Sequence, residues 1–468
     1  MSNPKFSTKS MVIFVVSLGL FMESLDTTII NTAIPAMSRS LLVNPIDLKL
    51  ALISYLLSLS IFIPISGWVA DKWGAKRVFI IALSVFILSS FWCGFAHNLT
   101  ELVIARAVQG IGGSFALPVG RLILLRVFPR HEVFMIMSRV IMVAASGMML
   151  GPLLGGFITH YFTWPWIFWV NLPVGLLTIF LAQKSLPHVP LVKVAHLDKL
   201  GFVLFGAWLA LLIFGLSALS ESVLSLQLSL SFVVLSFVFL ALYISHSFRY
   251  PHPIVKTELF RYRTFQVSTA ANLFARLGFG GMPFLLPILM QVAMGFSAQL
   301  SGLLIAPMAI GIFAIKIFSL RLLKLMGYRK LLIVNTLLMA LSLWSFMTIG
   351  VGTSVFYIAL LTFVFGFLMS MQFSGMNSLA YADIPVEYLS AATSIMNTLQ
   401  QVASSFGVAS AALLIHYFSM QYHVNFLLNM TVFHRTFFVL GCLTLFASAI
   451  FLRLQPEDGA SMLQKAEG

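Results

Sequence analysis

The chain has 468 residues, of which 60% are hydrophobic and 9% charged, with a mean hydropathy of +0.99. This composition excludes a soluble globular protein and places the chain among polytopic membrane proteins. A net charge of +14 would suggest a nucleic-acid partner in a soluble protein. Here a bias of basic residues toward one membrane side explains it, and no nucleic acid is expected.

The first apolar stretch, 11–34, holds about 24 residues, or about 36 Å of helix, enough to cross a bilayer. Lys5 and Lys9 precede it, but its length and its acids do not suit a cleaved signal peptide, so it reads as a retained span. Glu23 and Asp26 lie about halfway along it. A carboxylate at that depth costs about 2.5–3.5 kcal/mol on insertion scales. The i, i+3 spacing sets both acids on one helix face, turned toward protein or a water-filled cavity. A carboxyl that trades protons at such a place has to be tuned by desolvation and neighbouring charge.

Apolar runs broken by charged or turn-rich segments give fourteen predicted spans: 11–34, 48–70, 78–97, 102–125, 134–159, 166–184, 199–219, 225–246, 266–290, 301–320, 331–350, 354–378, 390–416 and 434–453. With the N-terminus in the cytoplasm, twenty of the 28 Lys and Arg fall in cytoplasmic segments and three, Arg39, Lys49 and Arg435, outside. That bias fixes the orientation and puts both termini in the cytoplasm. The remaining five lie within spans: Arg106, Arg121, Arg139, Arg276 and Lys316. Arg139 is about one turn inside its helix, where it can snorkel to the surface. Glu23 and Asp26 are the two acids placed clearly within spans.

The loop after the second span, Gly67 to Arg77, recurs weakly after the tenth, Leu320 to Lys330. Gly74 aligns with Gly327 and the Lys76-Arg77 pair with Arg329-Lys330, while Lys324 takes the place of Asp71. With spans seven and eight set aside, six spans lie on each side, the pattern of a transporter built from parallel repeats with its site between them.

Four stretches then resemble the major facilitator superfamily, and within it the fourteen-helix EmrB/QacA-type drug:proton antiporter branch, most like its MdtD-like members. They are Leu25 to Pro35 in the first span, the Gly67 to Arg77 loop, Arg106 to Gly113 in the fourth span, and Gly147 to Gly156 in the fifth. At lower specificity the likeness runs to about residue 453. The Trp164 to Pro173 segment is also similar to that branch, with Pro165 where many members carry Arg or His.

The resemblance implies an all-α polytopic fold, the major facilitator fold, with two six-helix bundles and two extra central helices. The expected organisation is a cytoplasmic N-terminus (1–10), an N-terminal bundle (11–184), a linker (185–198), two additional helices (199–246), a second linker (247–265), a C-terminal bundle (266–453) and a cytoplasmic tail (454–468). It implies a proton-coupling role for Asp26 and Glu23 with Arg106, and a conformational latch for Gly67, Asp71, Gly74, Lys76 and Arg77. Bottom-up, Asp26 could equally be half of a structural ion pair with Arg106 or Arg121. A pair broken by protonation would itself be a switch.

Gly147, Gly151, Pro152, Gly155 and Gly156 match the antiporter motif. Physically they are a kinked, closely packing helix face, because Pro removes a donor and glycines admit another helix. Candidates for a substrate cavity are Asn31, Gln109, Arg121, Arg276, Gln291, Lys316, Asn397 and Gln400, polar groups at membrane depth that tend to face a cavity or another helix. Gln372, Asn377 and Gln401 share that depth. Asp383 and Glu387 fall in a cytoplasmic loop.

Cys93 and Cys442 sit in apolar runs and read as small hydrophobes, with no disulfide framework or metal-ligand spacing. No Walker A sequence or nucleophile elbow is present, so neither ATP drive encoded in the chain nor an enzyme is expected. No cofactor is expected and the proton gradient is the energy source. The expected partners are the lipid bilayer, a small-molecule substrate and protons. A periplasmic adaptor has no signature in the sequence.

The reading is a proton-coupled antiporter of the cytoplasmic membrane that exports amphipathic molecules or drugs. A dedicated exporter of one metabolite, such as an organic anion or siderophore, is the second reading, favoured by Arg276 and Lys316. A membrane sensor or scaffold without transport is a third.

Overall fold

A computed structural model describes residues 6–128, 130–187, 196–221, 225–251, 253–255, 257–385, 388–422 and 429–459. Lys5, Lys193, Lys256, Glu387 and Lys465 lie outside the described residues, as do most of the N-terminal segment, the first linker and the tail.

The described residues are helical with no strand. In chain order the helices are α1 (Phe6–Leu41), α2 (Lys49–Trp73), α3 (Ala75–Cys93), α4 (Leu99–Val127), α5 (Arg130–Tyr161), α6 (Trp166–Trp169), α7 (Asn171–Ser185), α8 (Lys199–Glu221) and α9 (Leu226–Arg249). Then follow α10 (Arg263–Phe279), α11 (Met282–Ile288), α12 (Ala298–Ser345), α13 (Val355–Ala380), α14 (Leu389–Tyr422) and α15 (Met430–Phe451). Among the described residues thirteen helical stretches are long and apolar enough to span a bilayer, and Lys199–Gly215 adds a shorter apolar helix. Together they match the fourteen predicted spans.

Four spans differ in detail from the sequence expectation. The sixth is two helices, α6 and α7, joined at Val170. The ninth is α10, α11 and a π-turn at Leu289–Ala293, because Gly280, Gly281, Pro283 and Pro287 interrupt a regular helix. The tenth and eleventh run on as α12 except at Gly327, whose φ of +68° breaks the helix. Gly74, between α2 and α3, has φ +89° and donates its N–H to the Ala70 carbonyl at 2.9 Å. The two loops of the sequence repeat thus share a left-handed glycine, which other residues adopt at a cost. Lys49, expected in an outer loop, begins α2 and is fully buried.

The chain divides into two compact units, Met1–Lys199 and Leu200–Gly468, with α8 and α9 grouped with the second. In the first, α1 packs along α5, and α4 lies against α2 and α3. Glycines make these approaches possible. A Cβ on Gly147 would meet the Phe21 carbonyl at 2.5 Å, and one on Gly151 would run into Thr28. Gly155 abuts Thr32 and the Ile29 carbonyl. The glycine face of α5, which stays helical through Pro152, is therefore the bed on which the acid-bearing α1 lies. Gly110 of α4 admits α2 at Tyr55 and Ser58, and Gly112 admits α3 at Ala82 and Phe86.

In the second unit α12 packs on α13 and α15, and α10 on α14 and α15. Gly281 and Gly407 bring α10 and α14 together, for a Cβ on Gly281 would sit 2.5 Å from the Gly407 carbonyl.

Candidate functional site

The first unit is tied at one polar node. Asp26 on α1 is fully buried, and both of its carboxylate oxygens are occupied. Arg106 Nη1 of α4 donates to Oδ2 at 2.6 Å, while Gln109 Nε2 and Asn171 Nδ2 donate to Oδ1 at 2.9 and 2.7 Å. Arg106, 1% exposed, also donates to Gln109 Oε1 at 2.6 Å, and its guanidinium lies over the Tyr55 ring at 4.3 Å. Ser90 Oγ of α3 accepts from Gln109 and Asn171 and donates to the Phe168 carbonyl at 3.0 Å.

Five spans, α1, α2, α3, α4 and the α6–α7 pair, therefore meet at one ion pair. A buried ion pair is tolerated when further hydrogen bonds satisfy it, and removing one partner is strongly destabilising. The break at Val170 matters here. It starts α7 at Asn171 and leaves the Phe168 carbonyl for Ser90.

Glu23, one turn before Asp26, is placed differently. It is 8% exposed, and its Oε2 is buried with no hydrogen-bond partner. Gly113 leaves the space beside it, since a Cβ there would stand 3.7 Å from Glu23 Oε1. Arg121, one of the deep cations, lies within electrostatic reach. Asp26 is thus a saturated structural acid and Glu23 an acid with an open oxygen. Both Asp26 oxygens already accept hydrogen bonds, whereas Glu23 Oε2 accepts none.

Other predicted positions divide between the two units. Gln109, expected in a cavity, is fully buried in the Asp26 node, because its amide bridges Arg106 to Asp26. Asn31 turns its amide back to the Thr28 carbonyl of its own helix at 3.3 Å. In the loop, Asp71 pairs with Arg126 of α4, half-exposed. Lys76 Nζ donates to the Gln183 carbonyl at 2.7 Å, capping the end of α7. Gly67 faces open space, and Arg77 is exposed. The loop therefore fastens the ends of α4 and α7 within the first unit.

In the second unit Arg276 of α10 donates through Nε to Asn272 Oδ1 at 2.8 Å and through Nη1 to Ser404 Oγ of α14 at 2.5 Å. It stacks over the Phe373 ring of α13 at 4.1 Å. Lys316 of α12 donates to Ser374 Oγ at 2.5 Å. Gln400 donates to Asn377 Oδ1 at 2.7 Å. Asn397 is partly buried on α14, and Gln291 lies in the π-turn, apart from the Arg276 group in sequence. A separate neutral node joins Asn335, Thr336 and Gln372, with Gln372 accepting from Asn335 at 2.7 Å.

Sequence reasoning left Ser90, Tyr55 and Asn171 without a role. A polar residue at membrane depth was the available signal for Ser90 and Asn171, but their partners are 81 positions apart in the chain. Among the described residues no His, Cys, Asp or Glu cluster could hold a metal ion.

Among the described residues, thirteen apolar helices of spanning length and one shorter one, with charged groups held inside each unit, fit a membrane transporter. The chain belongs to the major facilitator superfamily, whose profile matches residues 16–408 and 271–467. It is 34% identical over 447 residues to "Putative multidrug resistance protein MdtD" of Escherichia coli O139:H28, covering 95% of this chain and 94% of that protein. The same identity and coverage hold for the protein of that description in Shigella flexneri serotype 5b. Among solved structures it is similar to a D-xylose-proton symporter, with a TM-score of 0.69 at 16% identity, covering 96% of this chain and 99% of that one. It is also similar to an auto-inhibited POT family peptide transporter, with a TM-score of 0.69 at 14% identity, covering 96% and 97%. The chain is an integral membrane transporter with a small-molecule substrate.

Proposed function

We propose that this transporter is a proton-coupled antiporter of the cytoplasmic membrane, with both termini in the cytoplasm, exporting amphipathic small molecules by alternating access. The description of its relatives as multidrug resistance proteins supports export, and the basic-residue bias supports the orientation. The observation that carries proton coupling is the pair of acids on α1, one saturated and one open.

In this reading Asp26 and Arg106 hold the first unit together and Glu23 is the acid that exchanges the proton. This reverses the order expected from the helix 1 motif alone, which put Asp26 first. Proton uptake at Glu23 removes its charge and its attraction for Arg121. The units then rock between outward-facing and inward-facing states, and substrate binding with proton release reverses the motion.

The test uses Glu23→Gln and Asp26→Asn in proteoliposomes, with flux driven first by an imposed pH gradient and then by substrate exchange alone. Glu23→Gln should lose at least about tenfold of gradient-driven flux and keep exchange, because a neutral isostere removes the proton and little else. Asp26→Asn should impair both fluxes together with thermal stability. Full gradient-driven flux by Glu23→Gln would refute the assignment of the proton to that residue.

A further inference from the structure

The second unit presents a charge imbalance that the first does not. Arg276 and Lys316 lie inside its helices, whereas among the described residues its acids, Glu221, Glu258, Asp383, Glu457 and Asp458, lie at helix ends or between helices. Arg276 lies thirteen residues into α10, about 20 Å from that helix's start at the rise of a helix, too deep to reach the surface by snorkelling. Its hydrogen-bond and ring partners, Asn272, Ser404 and Phe373, are all neutral. Lys316 meets the hydroxyl of Ser374, the neighbour of Phe373 on α13. The two cations therefore dock on consecutive residues of one helix.

A third group points the same way. Asn272 is 2% exposed, gives its oxygen to Arg276, and leaves its Nδ2 donor buried without an acceptor. An arginine fork, an ammonium and an unanswered amide donor make a set that lacks only an acceptor with negative charge. A cation within the membrane is normally paired, and among the described residues no acid pairs with either of these.

We propose that Arg276, Lys316 and Asn272 form an anion-recognition site, so that the exported molecule carries a carboxylate or comparable oxyanion beside its apolar body. The planar guanidinium matches two carboxylate oxygens, and the Phe373 ring holds the guanidinium flat for that contact. The inference rests on the transporter reading and narrows it from amphipathic molecules in general to amphipathic anions.

The test is equilibrium binding to the purified full-length protein in neutral detergent at constant pH, which requires no proton-driven flux. The probes are naphthalene-1-acetate and 1-naphthylmethylammonium, which share a ring system and differ in charge. The acetate should bind at least tenfold more tightly than the ammonium, a difference of about 1.4 kcal/mol. Arg276→Gln should weaken acetate binding tenfold or more, Lys316→Gln several-fold, and Arg276→Lys should recover part of the loss. The variants are scored only if they elute as monodisperse as wild type, with Lys316→Gln the variant at the more exposed side chain.

The proposal falls if the acetate does not bind at millimolar concentration, if the ammonium binds as tightly, or if both charge-removing variants bind the acetate as wild type does. A lipid headgroup offers the same chemistry, so the acetate is also titrated against added phosphatidylglycerol. Displacement by that lipid at a few molecules per protein would assign the cations to lipid and overturn the substrate reading. Intact anion binding with failed pH-driven flux would instead strike the proton-coupling reading and leave this one standing.

Discussion

The two units handle buried charge in opposite ways. In the first, the Asp26 carboxylate meets Arg106 and two amides, and the ion pair doubles as the tie between five spans. In the second, the internal tie is neutral, made of Asn335, Thr336 and Gln372, while the deep cations Arg276 and Lys316 rest on hydroxyls, an amide and a ring. Charge in the first unit is largely satisfied by the protein, with Glu23 Oε2 and Arg106 Nε among the buried atoms left without a hydrogen-bond partner. In the second, Arg263 pairs with Asp458, while the hydrogen-bond and ring partners of Arg276 and Lys316 among the described residues are neutral. On the two proposals above, proton exchange sits beside the Asp26 node in one unit and recognition of an anion in the other.

The strongest way to break the comparison is Arg106→Ala. It strands the fully buried Asp26 carboxylate and should cost about 3–5 kcal/mol, seen as a large fall in thermal unfolding temperature in detergent. The double change Arg106→Ala with Asp26→Asn should recover much of that loss, because the orphaned charge is gone. An Arg106→Ala protein as stable as wild type would show that the node does not hold the unit.

Gln372→Leu is the matching change in the second unit. It leaves the buried Asn335 amide short of an acceptor and should cost about 1–3 kcal/mol. Its smaller effect than Arg106→Ala, by the same thermal assay, is the expected sign that this tie is uncharged. The order reversed would dissolve the contrast between the units.

The smallest effects concern the repeated loops. Gly74→Ala and Gly327→Ala should each cost about 1–2 kcal/mol, since both glycines hold a left-handed conformation. Gly67→Ala, where an added Cβ meets nothing within 4 Å, should be close to neutral. Equal penalties at Gly67 and Gly74 would mean that the loop motif acts through contacts other than backbone conformation.

Much of the fold was legible in the chain. Fourteen apolar runs, the basic-residue bias and the recurring glycine loop follow from the length a bilayer demands and from the conformation a tight turn demands. The exceptions are local. Val170 divides the sixth span, and Gly280 and Gly281 with Pro283 and Pro287 divide the ninth, where the prolines lack donors and the glycines lack side chains. The partners of the Asp26 charge were only half legible: the motif residues Asp26 and Arg106 could be suspected of meeting, whereas Asn171, 145 positions from Asp26, could not.

The sequence by itself determined that this is a polytopic membrane protein with two acids on one face of α1 and the cations Arg276 and Lys316 within predicted spans of the second half, because cost in lipid restricts such residues whatever the packing. Tertiary structure alone decided which acid is occupied and which is open. Glu23 and Asp26 are three residues apart and share a face, yet only Asp26 falls where α4 and α7 bring their donors. Hydrogen bonds are short and directional, so one helical turn separates a saturated carboxylate from one with an unmet oxygen.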